Sequence, residues 1–242
     1  MTESNRIALV TGGSRGLGLE IGRVLAKRGY SLVIGGRDRD ALDRAVSDLS
    51  KDAPVVLPVA GDVTDAQVRL RLIDAARQLG GLDVLVNNAS ELGPIGPLKS
   101  FDVPRLGRLF PVNVGAPLFL IQLALPLLSA RKGLIVNITS DAATAAYPSW
   151  GPYGATKAAL ELLTRTLATE LHDQGVSAVL VDPGDLRTRM HQQAFPGEDI
   201  SDRPLPAVTV PFWAWLFDQN PDDVRGQRFA AQHEDARWMQ RA

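Results

Sequence analysis

The sequence contains no cysteine. Disulfides, thiolate metal sites and cysteine nucleophiles are thereby excluded, and nothing points to an oxidising compartment. Histidine is scarce: His172, His191 and His233 are widely spaced and fit no metal-ligand pattern, so no metal site is expected. Excess charge of either sign is missing too. With 26 basic and 27 acidic side chains the net charge is -1, which removes the electrostatic case for a nucleic-acid or acidic-membrane partner. Residues 1–6 are polar and are followed by only a short apolar run, less than a secretory leader needs. A cytoplasmic location is therefore expected, with the sequons at Asn88 and Asn137 as chance matches.

One stretch lacks charge altogether. Between Arg108 and Arg131 no residue is ionisable, which would suffice for a bilayer span on length alone. Its Asn113, Gly115 and Gln122, with Pro111, Pro117 and Pro126, favour instead a buried helix at a sheet or subunit contact.

What is present is an ordinary globular composition, 45% hydrophobic and 22% charged over 242 residues, enough for a large core without staples. Short runs rich in Val, Ile and Leu at 7–10, 31–34, 55–59, 84–86, 134–138 and 176–181 read as strands buried on both faces. Amphipathic segments lie between them. Leu160, Leu163, Leu167 and Leu171 recur at helical spacing, and Leu70, Ile73 and Ala76 or Arg77 do so more weakly. Gly29, Gly80 and Gly175 stand where helices should stop. This alternation predicts an α/β fold, a Rossmann-type doubly wound parallel sheet with helices on both faces, as a single domain over residues 1–242. The longest unpatterned region, 184–206, is expected to be a substrate loop.

The run Thr11-Gly12-Gly13-Ser14-Arg15-Gly16-Leu17-Gly18 follows the first predicted strand and opens the first helix. Glycines there allow a tight turn and close backbone approach to a pyrophosphate, which the helix N-terminus attracts. Gly12, Ser14, Arg15, Gly16, Leu17 and Gly18 are thus expected to contact a dinucleotide. The end of the second strand discriminates between dinucleotides, because an acid there holds ribose hydroxyls whereas Arg pairs with a 2′-phosphate. The chain reads Gly35-Gly36-Arg37-Asp38. Arg37, with Arg15 as a second arm, favours NADP(H). The alternative is two solvated arginines with Asp38 as the ribose ligand, which would mean NAD(H).

Tyr153 and Lys157 stand four residues apart, hence on one helix face. A free phenol has a pKa near 10, and a fixed cation beside it lowers that value towards the working range. Ser140 follows the strand at 134–138, where an open parallel sheet exposes its crevice, and could hydrogen-bond a carbonyl oxygen and Tyr153 together. Otherwise it is a turn cap. Asn113 could hold a water behind Lys157, or be a satisfied buried amide.

Taken together these motifs resemble the classical short-chain dehydrogenase/reductase family over nearly the whole chain. Residues 11–18 resemble its cofactor turn, Asp62-Val63 its adenine-contact pair, and Asn87-Asn88-Ala89 its central-strand motif. Asn113, Ser140, Tyr153 and Lys157 match its catalytic tetrad in order, with Ser140 13 positions before Tyr153. Asp182-Pro183-Gly184, the Leu186 backbone and Thr188 resemble its nicotinamide-carboxamide segment. The resemblance implies hydride transfer between NADP(H) and a small carbonyl or alcohol, in a homodimer or homotetramer. In it Tyr153 donates the proton, Lys157 lowers the Tyr153 pKa and holds the nicotinamide ribose, Ser140 orients the carbonyl, and Asn113 keeps a proton relay and a helix kink. The competing reading is a non-catalytic dinucleotide-binding sensor or scaffold, which has no need of the complete tetrad.

Two departures stand out. Ser90 replaces the glycine that usually ends the central-strand motif, and residues 233–242 are polar where the family is glycine-rich. Substrate contacts are expected from 90–97, 141–150 and 185–206. Trp150 is either a pocket wall or a packed surface aromatic. Phe212, Trp213, Trp215 and Phe217 favour helix packing or a subunit contact over a substrate box.

Overall fold

In the computed structural model, which describes residues 5–232, seven strands form one parallel sheet. They are β1 (Ile7–Thr11), β2 (Ser31–Gly36), β3 (Val56–Ala60), β4 (Val84–Asn87), β5 (Leu134–Ile138), β6 (Ser177–Asp182) and β7 (Arg228–Ala230), in the order β3-β2-β1-β4-β5-β6-β7. The chain moves outward in one direction from β1 and in the other from β4. The carboxyl ends of these two strands therefore flank the switch point, where such sheets open a crevice. Residues 233–242, and with them His233 and the polar tail, lie outside the described residues.

Strand alternation divides the core between the two faces. Ala8, Val10, Leu32 and Ile34 point to one face, under helices α1 (Gly16–Lys27) and α2 (Arg39–Leu49). Ile7, Leu9 and Val33 point to the other, under α3 (Ala66–Leu79) and α4 (Ala116–Arg131). The uncharged stretch is this α4, preceded by a π turn at Pro111–Gly115. By length and apolarity Pro111–Arg131 could cross a membrane, but Leu120, Ile121, Ala124 and Leu128 are buried in the second core and the helix packs on α3, β4 and β5.

Two helical stripes differ from expectation. In α3 the buried apolar positions are Val68, Leu72, Ile73, Ala75 and Ala76, while Leu70 faces outward. In α5 (Gly151–Glu170) Leu160 is buried, but Leu163 and Leu167 are only half-buried, and the seam runs through Tyr153, Lys157, Glu161 and Thr164. These polar positions go inside because each finds a partner. Asn137 on β5, for example, donates to Thr164 Oγ1 at 2.8 Å.

The region 184–206 is not wholly irregular: it contains α6 (Arg189–Ala194), capped by Thr188. The aromatic group lies on α7 (Val210–Leu216), which packs on α1, with Phe212 and Trp215 meeting Phe229 of β7 at ring distances of 5.8 and 5.3 Å. It is helix packing. A short α8 (Pro221–Val224) leads into β7.

Candidate active site

One cleft of about 870 Å³ runs along the carboxyl edge of the sheet and takes in the Gly-rich turn, the Tyr153 region and α6. At its floor the chain turns from β1 into α1. A Cβ on Gly18 would stand 2.3 Å from the Gly12 carbonyl oxygen, and Gly12 and Gly16 adopt φ of 66° and 55°, so this close left-handed turn suits only glycine. Asn88 fastens it from β4's exit: Nδ2 donates to the carbonyls of Thr11 (2.9 Å) and Gly12 (3.2 Å). Its side chain supports the cradle.

The cradle fits a pyrophosphate. Asp38 caps α2 and Asp65 caps α3, but α1 begins after Arg15, which makes no cap, and has no acid in its first turn. Its leading N–H groups therefore lack a side-chain acceptor, beside the cleft-lining Ser14, Arg15, Gly16 and Leu17. A helix start of that kind holds an anionic group without further help.

Past the end of β2 the two arginines do not stand as a free clamp. Arg15 is ion-paired with Asp38. Arg37 donates through Nη1 to Glu91 Oε1 at 2.5 Å, and Arg108 holds the same carboxylate through Nε at 3.2 Å and Nη2 at 2.9 Å. Arg108 also reaches Asp62 at 2.7 Å. Against the cost of burial, the Thr64 N–H and Arg108 keep the Asp62 carboxyl at about 2. Since β1 lies between β2 and β4, the Arg37–Glu91 pair joins loops on either side of the Gly-rich turn. Glu91 carries no local sequence signal; only the strand order brings it to Arg37. Val63 also lines the cleft here.

Tyr153 and Lys157 lie one turn apart on α5, both buried. Lys157 Nζ donates to the Ile138 carbonyl at 2.9 Å and lies 5.6 Å from the centre of the Tyr153 ring. Burial pushes the Tyr153 phenol above its usual range, with the Ser90 and Ser140 hydroxyls working against it. Lys157 was expected to lower that phenol; instead desolvation prevails, and Lys157 itself is pushed down to about 8 by burial, opposed by Asp182. Tyr153 thus rests as the neutral phenol, the form that can donate a proton. Ser140 caps the turn that follows β5. Its Oγ accepts from the Ala142 N–H (3.2 Å) and donates to Asp141 Oδ1 (2.9 Å), and it neighbours Tyr153.

Asn113 sits in the π turn, a widened turn common at functional sites. Its Oδ1 accepts from Ser90 Oγ (3.0 Å) and the Glu91 N–H (2.9 Å), while Nδ2 donates to the Glu91 carbonyl (2.8 Å) and Thr156 Oγ1 (3.0 Å). All four hydrogen-bonding positions are taken, so its side chain holds no relay water. It ties the 90–91 segment to α5, and Ser90 supplies one of those ties.

One wall of the cleft is apolar. Leu92, Ala142 and Tyr153 form a cluster joined by Ile95, Trp150, Met190 and Ala194. Trp150 meets Tyr153 edge-on at 6.0 Å and Phe195 at 6.2 Å, which makes it a wall of the pocket. Pro183, Gly184, Leu186 and Thr188 line the facing side. Thr188 spends its hydroxyl on the His191 N–H at 3.2 Å.

Comparison with known proteins agrees with this arrangement. Residues 6–199 match the family model described as short chain dehydrogenase. Dehydrogenase/reductase SDR family member 4 of Bos taurus is 37% identical over 186 residues, 76% of this chain and 67% of that protein. A short chain dehydrogenase structure from Salmonella enterica serovar Typhi superposes with a TM-score of 0.86 at 31% identity, over 95% of this chain and 96% of that one. An alcohol dehydrogenase from the archaeon Thermococcus sibiricus, complexed with 5-hydroxy-NADP, gives 0.82 at 28% identity, over 94% and 96%.

Proposed function

The chain belongs to the short chain dehydrogenase family, and on that premise we propose that it is an NADP(H)-dependent reductase of ketones or aldehydes, or the alcohol dehydrogenase running the same reaction backwards. The observation that carries the reading is the meeting of Ser140, Tyr153 and Lys157 in the cleft whose floor is the uncapped start of α1. A bound nicotinamide supplies the hydride chemistry. The chain's own groups do the rest. Ser140 Oγ turns from Asp141 to a substrate carbonyl oxygen and orients it. Tyr153, neutral and buried, gives its Oη proton to that oxygen as the alcohol forms. Lys157 places positive charge beneath the phenol and offers N–H groups to a ribose. The apolar wall of Trp150, Phe195 and Met190 excludes water and favours an apolar substituent on the carbonyl carbon. Exposed Phe110, Phe119, Leu123 and Leu162 supply apolar surface for a homodimer or homotetramer.

Solved structures of this fold carry NADP in one case and NAD+ in another, so Arg37 decides between the dinucleotides. Its present partner Glu91 retains Arg108 when Arg37 turns to a 2′-phosphate, so the exchange strands no carboxylate. NADH offers nothing in return for the broken pair. We expect Arg37→Ala to weaken NADPH binding about 10–100-fold, the worth of a charge-assisted pair, and NADH binding less than about twofold. Equal losses in fluorescence titrations would place Arg37 outside the nucleotide site. The reading as a whole is tested by turnover of a panel of aryl and alkyl ketones and aldehydes with each nucleotide. Reduction with NADPH supports it, and no turnover despite saturating dinucleotide would leave a binding module.

A further inference from the structure

We propose that Arg228, on the last strand, is a positioning residue that locks the substrate-orienting segment of the site to the nicotinamide-holding segment. The inference rests on the oxidoreductase reading above and adds a group from the opposite end of the chain.

Three acceptors converge on this one guanidinium. Nε donates to Glu161 Oε1 at 2.8 Å, and Nη2 donates to the Ser140 carbonyl at 3.2 Å and to Asp182 Oδ2 at 3.1 Å. β7 pairs with β6, and β6 pairs with β5. Arg228 therefore reaches across β6 to the exit of β5, where Ser140 stands. Each acceptor has a second tie. Glu161, with a side chain only 2% exposed, accepts from Thr139 Oγ1 at 2.8 Å and from Arg165 at 3.1 Å. Asp182 accepts the Gly184 N–H through Oδ1 at 3.0 Å.

The network thus grips two short segments. One is Thr139-Ser140, whose hydroxyl orients the carbonyl to be reduced. The other is Asp182-Pro183-Gly184, which lines the nicotinamide side of the cleft. Their spacing sets the distance between hydride donor and acceptor carbon, and reaction rate is steep in that distance. A planar fork with several donors in fixed directions can hold both at once; a lysine ammonium has the charge but not the span. The guanidinium also keeps the buried Asp182 and Glu161 carboxylates compensated without placing a free cation in the cleft.

The test compares Arg228→Met and Arg228→Lys with the unaltered protein. NADPH affinity, read by nucleotide fluorescence, should stay within about threefold, because the Gly-rich turn and Arg37 lie at the other end of the cleft. The turnover number should fall about 10–100-fold in Arg228→Met with KM little changed, and the primary isotope effect with 4-deuterated NADPH should rise towards its full value as hydride transfer becomes limiting. Arg228→Lys should recover part of kcat. Should Arg228→Met not fold, Arg228→Lys alone decides: the proposal requires a lowered kcat and a raised isotope effect with NADPH still bound. A kcat equal to that of the unaltered protein in either folded variant, or a loss confined to KM, overturns the role of Arg228 alone. An unaltered protein that turns over no carbonyl and no alcohol would overturn the oxidoreductase reading and this proposal with it.

Discussion

Tyr153→Phe is expected to lower turnover by about 10³–10⁴-fold, the usual span for losing a positioned general acid together with its transition-state hydrogen bond. The ring stays. Its edge-on contact with Trp150 and its packing on Leu92 and Ala142 do not involve the hydroxyl, so the pocket keeps its shape. The Gly-rich turn does not touch the phenol, and NADPH affinity should stay within about twofold. Loss therefore falls on kcat with binding intact, a split that single-turnover and titration measurements resolve. A variant retaining more than about a tenth of the activity would remove Tyr153 from proton transfer. Ser140→Ala would not imitate this result fully, because Tyr153 keeps its proton when its neighbour is lost.

Lys157→Met is expected to trade activity for stability. The ammonium is buried and its pKa is depressed from 10.5 to about 8, so folding disfavours its charged form. Below pH 8 the lysine is protonated in both folded and unfolded chains, and the full penalty applies. Between pH 8 and 10.5 the folded chain sheds its proton while the unfolded chain holds it, so stability rises with pH across that window. The penalty is worth up to about 3 kcal/mol, and loss of the bond to the Ile138 carbonyl returns about 1 kcal/mol of it. At pH 7 Lys157→Met should therefore melt about 4–8 °C higher, with the gain shrinking towards pH 10.5, while turnover falls at least about 100-fold. Thermal melts at pH 7 and pH 10 check the sign. A lower melting temperature at pH 7 would mean that the buried cation stabilises the fold.

Local features of the molecule were open to sequence reading. Six of the seven strands announce themselves as short apolar runs, while β7, Arg228–Ala230, has no such run; the turn at Gly12–Gly18 and the spacing of Tyr153 from Lys157 are set by neighbouring residues. Leu70, Leu163 and Leu167 misled because periodicity counts leucines, whereas the face that goes inside is decided by what lies opposite. On α5 that is Asn137 and Thr139, which pair with Thr164 and Glu161. Partners of charged groups were invisible for the same reason. Arg37 could be seen, but Glu91, 54 residues on, meets it only through the β2-β1-β4 order. Asn113 was recognisable by its place in a motif, yet its occupied amide follows from the Ser90–Glu91 loop and Thr156. The acceptors of Arg228 lie on α5, past the exit of β5 and at the end of β6, so its network follows only from β7 taking its place beside β6.

A paired fluorescence titration of the unaltered protein with NADPH and NADH tests, without any choice of substrate, the proposal that this cleft binds a nicotinamide dinucleotide and selects NADPH through Arg37. We predict NADPH binding at least about 10-fold tighter than NADH, the difference one charge-assisted pair provides. Equal affinities, or tighter NADH, would contradict the Arg37 assignment and turn attention to Asp38 as a ribose ligand. Binding of neither would mean that the cleft is not a dinucleotide site.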